Sequence, residues 1–159
     1  MTKISQHFSM HEIIKSQTAT RLEIDNTLPV GLIPVVTATC ENIHEPVRSH
    51  FGVPYTFSSF YRCYELEKVI CKKSIENFLE KYPDKTVEDY LVKKSHPKGD
   101  ATDFEVPGVS NIDLYNWIKD NLVFDQLILE FHKSGDPHSG WVHCSYNLTH
   151  NRNQAFEIG

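Results

Sequence analysis

The sequence predicts an α+β domain: a small antiparallel sheet with helices packed on it. Three observations predict it. Short apolar segments with strand character occur at 55–58, 101–106, 126–131 and 141–146. Apolar residues at helical spacing fill 35–49, 66–80 and 111–121. Gly, Pro, Asn and Asp punctuate the boundaries, and no repeat, low-complexity tract or linker divides the chain. Its 159 residues suit one domain, 1–159, with its own core.

The elements follow in order. Ser9 with Glu12 three residues later forms a capping box, which starts a short helix running through about Thr20. Leu28 to Pro34 is an apolar turn. Val36, Cys40, Ile43 and Val47 then give one face of an amphipathic helix. Gly52 and Pro54 break it before the first strand. Leu66, Val69, Ile70 and Phe78-Leu79 mark a helix over 66–80, and Thr86 caps a short one through Val92. Ser110 or Asn111 caps the helix to Asn121, with Leu114, Trp117 and Ile118 facing inward. The last two strands form a hairpin with a long polar loop.

Composition excludes several function classes. With 40% hydrophobic and 23% charged residues the chain is neither disordered nor fibrous. A net charge of -5 offers no footprint for nucleic acid or an anionic membrane. No run approaches the ~18 apolar residues of a membrane span, and the N-terminus has no apolar signal core. The expectation is therefore cytoplasmic synthesis without a signal peptide or membrane insertion. Cys40, Cys63, Cys71 and Cys144 form no CxxC pair, so they read as reduced, partly buried thiols. Nine histidines are many for this length, which directs attention to metal spacing.

His96-Pro97-Lys98-Gly99-Asp100-Ala101-Thr102-Asp103 is the strongest signal. A His and an Asp on either side of a Gly turn converge on one cation if the second lies on a strand. Gly99 permits the tight turn, and Ala101 lets neighbouring chains approach. Zinc accepts both donor types, and catalytic sites use three protein ligands with a fourth position open. Trp141-Val142-His143 offers the third ligand on a strand.

The pattern HxxGxAxD followed by WxH resembles the zinc D-Ala-D-Ala carboxypeptidase and phage endolysin peptidase family, whose fold is shared with hedgehog signalling domains. Other blocks in the same order extend the resemblance over nearly the whole chain: Ser9 to Glu12, Ser16 to Ala19, Ile24 to Asn26, Ser58 to Cys63, Phe124 to Glu130, and Ser145-Tyr146 with Asn151 to Gln154. The resemblance implies a hedgehog/DD-peptidase-like fold. It also implies one zinc ion held by His96, Asp103 and His143, and a peptidoglycan stem peptide as substrate. Arg62 matches the family's substrate-binding arginine, whose guanidinium can grip a carboxylate in two parallel hydrogen bonds.

Two residues compete as catalytic base. Glu130 is expected on a strand beside the one carrying His143, and His138 stands five residues before that last ligand, where some relatives place a functional histidine. Other branches place an acid three residues before the last ligand, but that position is Gly140. Ser95 and Asp100 are expected to brace the ligand loop, and Gln126 and Trp141 to serve as framework. The chain departs from the pattern at Phe60, where relatives carry Gly, and at Lys94, where they carry Ser. Residues 72–93 resemble a helical insert flanking the cleft. The expected activity is cleavage of peptidoglycan, carboxypeptidase-like or endolysin-like, by a phage or prophage protein that reaches the wall on release or in a virion. A non-hydrolytic wall-binding or virion module is the alternative.

Overall fold

A computed structural model describes residues 2–159. The N-terminal segment forms two short helices, α1 (Met10–Ile14) and α2 (Gln17–Arg21), where one continuous helix is expected. Ser16 interrupts it: its backbone is extended and its hydroxyl accepts from the Ala19 N–H at 3.2 Å, a cap that restarts the helix. At α1 the Glu12 carboxylate accepts from the Ser9 N–H at 2.8 Å, so the capping box is present.

The long amphipathic helix spans α3 (Ile33–Thr39), a π-helical turn (Cys40–His44) and α4 (Glu45–Phe51). Pro46 has no N–H to give to the residue four back, and the wider turn lies directly ahead of it. Gly52 closes α4 in the left-handed conformation, φ 68°. Next come β1 (Phe57–Ser59), α5 (Tyr64–Ile70), α6 (Lys72–Lys81) and α7 (Val87–Leu91). The helix expected over 66–80 is thus broken at Cys71, and Thr86 with Asp89 forms a second capping box. These three helices pack on one another, each burying one apolar residue, Leu66, Ile75 and Leu91, and α5 contacts the 3-10 turn (His96–Lys98).

Strands β2 (Ala101–Phe104), β3 (Gln126–Glu130), β4 (Trp141–Ser145) and β5 (Gln154–Ile158) join β1 in one sheet ordered β1-β2-β4-β3-β5, with α8 (Asn111–Asn121) between β2 and β3. The sheet is mixed, which corrects the antiparallel expectation: β5 runs parallel to β3, from Gln126↔Gln154 to Glu130↔Ile158. The fifth strand escapes sequence reading because four of its five residues are exposed, so no apolar face marks it.

Register divides the sheet into two faces. Phe104, Val142 and Leu129 align across three strands and are fully buried. They join a core with Val36, Ile43, Leu114 and Ile118 from the helices. On the other face Ser59, Asp103, His143, Ile128 and Phe156 align across all five strands. A side-chain period of two places the second row opposite the core. No helix among the described residues is long and apolar enough to cross a membrane.

Candidate metal centre

His96, Asp103 and His143 come from a 3-10 turn and two adjacent strands, and their donor atoms lie within 4.8 Å of one another. Antiparallel pairing of β2 with β4 sets Asp103 directly opposite His143. The His143 Nδ1 stands 2.8 Å from Asp103 Oδ1. His96 Nε2 stands 3.2 Å from Asp103 Oδ2.

The backbone fixes His96. Its Nδ1 lies 2.7 Å from the Phe60 carbonyl oxygen, so Nδ1 carries a proton and Nε2 is turned toward Asp103. Gly99, at φ +74°, ends the 3-10 turn and sends the chain into β2; a Cβ there would crowd Val36. Phe60 itself is buried, contributing its carbonyl to the site and its ring to the core. Among the described residues the Ser95 side chain caps nothing and Asp100 Oδ1 is buried without a partner.

The donor set fits a divalent metal. Two imidazoles and a carboxylate make a neutral-to-anionic cage of the kind zinc accepts at ~2.0–2.2 Å, and the donor atoms lie close enough together to hold one ion. Burial works against charge on Asp103, yet the hydrogen bonds and charges of His143 and His96 hold its carboxyl well below the usual range. The carboxylate is thus already ionised for coordination.

A cleft of about 610 Å³ contains all three residues, with Arg62, Glu67 and Glu130 in its lining. Glu130 ends β3, paired with Trp141. Burial and the neighbouring Asp103 carboxylate raise the pKa of Glu130. Gln126 and Trp141 also line the cleft, and Trp141 acts on Glu130 in the opposite sense, lowering its pKa. His138 is placed elsewhere. It is exposed on the β3–β4 loop, its backbone N–H bonds Asp136, and it is not among the residues lining the cleft.

Arg62 reaches the centre but is heavily engaged. Its Nε donates to Ser59 Oγ at 2.8 Å, Nη1 lies 3.3 Å from Glu67 Oε2, and Nη2 lies 3.4 Å from Asp103 Oδ2. Glu67, only 1% exposed, is the residue that sequence reasoning passes over. Its spacing on α5 marks it as an ordinary helical acid, and nothing local signals that it is buried against an arginine.

Comparison with protein families, curated proteins and solved structures finds no match to this chain. The functional reading therefore stands on the motif resemblance and on the geometry above.

Proposed function

We propose that this chain is a zinc-dependent peptidase acting on the stem peptides of bacterial peptidoglycan. The observation that carries the reading is the convergence of His96, Asp103 and His143 in an open cleft that also holds Glu130. A structural zinc site is usually closed by four Cys or His ligands, whereas this one has three ligands, one of them a carboxylate, and a cleft beside it. The substrate class comes from the resemblance of HxxGxAxD and WxH to the wall peptidases.

His96, Asp103 and His143 would hold the ion. When bound, zinc polarises the scissile carbonyl and brings the pKa of a coordinated water toward ~7. The chain's own residues do the rest. Glu130 takes the proton of the attacking water on its carboxylate and returns it to the leaving amine, a task suited to a carboxyl whose pKa burial has raised. Phe60 holds the His96 tautomer. Arg62, held by Ser59 and Glu67, orients the bound peptide from the cleft wall.

Elemental analysis of the purified chain should find one zinc per molecule. Chelation should abolish release of fragments from purified cell walls, and added zinc should restore it. Wall cleavage that survives full metal removal would reject the proposal, and binding to walls with no turnover under any loading would favour the non-hydrolytic module.

A further inference from the structure

We infer that Phe131, Trp141 and Ile158 form an apolar shelf in the cleft that receives a large apolar side chain flanking the scissile bond. This rests on the peptidase reading above, and it departs from the alanine that the resemblance implies. Side chains two apart on a strand share a face. Trp141 therefore stands on the face of His143, and Glu130 on that of Ile128, the cross-strand partner of His143. Glu130 itself pairs with Trp141 on one side and with Ile158 on the other. Neighbouring strands lie ~4.8 Å apart, so an indole and a branched alkyl chain flank the carboxyl assigned as base.

Phe131 completes the shelf. It follows Glu130 directly, its ring centroid lies 5.3 Å from that of Trp141, and it lines the cleft with Trp141 and Ile158. Its φ of +56° lies in the left-handed region, an outlier for a bulky side chain. The Phe131 N–H donates to the Ile158 carbonyl at 2.7 Å, which ties the strained residue to β5. Strain of this kind persists only where the surroundings impose it, and it gathers at ligand sites. Core packing does not account for it, because Phe131 is 53% exposed and Ile158 43%. Glycine would take this conformation freely, yet the chain places an aromatic ring in the cleft wall.

Shelf and metal centre belong to one cleft. Trp141 is two residues from His143 on β4, about 7 Å along the strand, which an extended peptide also covers in two residues. A peptide whose carbonyl reaches the centre thus has a flanking side chain within reach of the rings. An alanine methyl would leave most of the two rings and the isoleucine in water. A leucine side chain covers more of them, and one methylene in an apolar enzyme pocket is worth roughly 10–200-fold in specificity. On an open shelf the lower end of that range applies.

The test gives zinc-loaded protein a set of stem pentapeptides whose alanines are replaced one at a time by leucine or by asparagine, similar in shape but polar. Products are identified by mass spectrometry. At a residue flanking the cut bond, leucine should raise kcat/KM at least about tenfold over alanine, and asparagine should stay within about threefold of alanine. Phe131→Gly relaxes the backbone and removes the ring, so the leucine-to-alanine ratio should fall to about threefold or less. Phe131→Tyr keeps the ring and should keep the ratio. In metal-free protein the leucine probe should bind about tenfold tighter than the alanine probe, read by calorimetry, and Phe131→Gly should remove that difference too. Equal binding and equal cleavage of the leucine and alanine probes would overturn the inference and leave the peptidase reading standing. So would a Phe131→Gly protein that slows both probes in proportion, as a merely structural role would. Cleavage of none of the probes, nor of cell walls, would overturn both.

Discussion

Gly140 packs directly over the backbone carbonyl of Glu130, leaving no room for a Cβ, and its φ of +69° lies in the left-handed region. The chain thus cannot carry the acid that other branches of the resembling family place three residues before the last ligand. Asn111 secures the arrangement, donating to the carbonyls of Ser139 and Gly140, each at 3.1 Å. Gly140→Ala must move the end of β3 or distort the loop. It should cost about 2–4 kcal/mol in urea unfolding, from positive-φ strain and steric overlap together.

Glu130 lines the cleft and His138 does not, so the proposed function assigns the proton chemistry to Glu130. Glu130→Gln keeps shape and removes the base. Turnover on cell walls should fall by about 10²–10⁴, the usual contribution of a general base, while zinc content is unchanged. His138→Ala should leave turnover within about threefold. A reversal of these two results would move the base to the loop.

Arg62 and Glu67 form a largely buried pair, with side chains 14% and 2% exposed. Removing one partner leaves an uncompensated charge. Arg62→Ala should therefore destabilise by about 3–5 kcal/mol, and Arg62→Ala with Glu67→Gln should recover a large part of the loss. Equal losses in single and double variants, measured by urea unfolding at pH 7, would show that the pair is not coupled.

Much of the local structure was legible because its causes are local. The capping residues Ser9, Thr86 and Ser110 stand where the sequence places them, and the ligand strands follow from their own apolar patterns. The meeting of His96 with Asp103 was legible because Gly99 allows the turn between them. What stayed hidden depends on distant partners. β5 is visible only through its parallel pairing with β3, and Glu67 stands out only once Arg62 is beside it. The Phe60 carbonyl has no side-chain signature at all, although it orients His96 in the candidate metal centre.

His44 makes the last prediction, and it concerns stability. The ring is fully buried on the π-helical turn, edge-on to Phe57 and Phe104. Its Nε2 lies 2.9 Å from Thr102 Oγ1 and its Nδ1 2.9 Å from Tyr55 Oη. Thr102 in turn donates to the Cys144 carbonyl at 3.2 Å. A neutral imidazole, donating from Nε2 and accepting at Nδ1, satisfies both contacts. Burial lowers its pKa to about 3 from the ordinary 6.5. The unfolded chain therefore binds the proton first. Stability is fully present above pH ~6.5 and declines as the pH falls toward the folded value, by about 1.4 kcal/mol per unit once well below 6.5. Between pH 7.5 and pH 5 metal-free protein should lose about 2 kcal/mol from this group. Carboxyls with raised pKa values, Asp100 and Glu130, act in the opposite sense, so the comparison must be with a His44→Phe variant. That variant is expected to be less stable at pH 7.5 but to lose about 2 kcal/mol less on acidification. An unchanged pH slope would mean that His44 is already protonated, or solvated, in the folded chain.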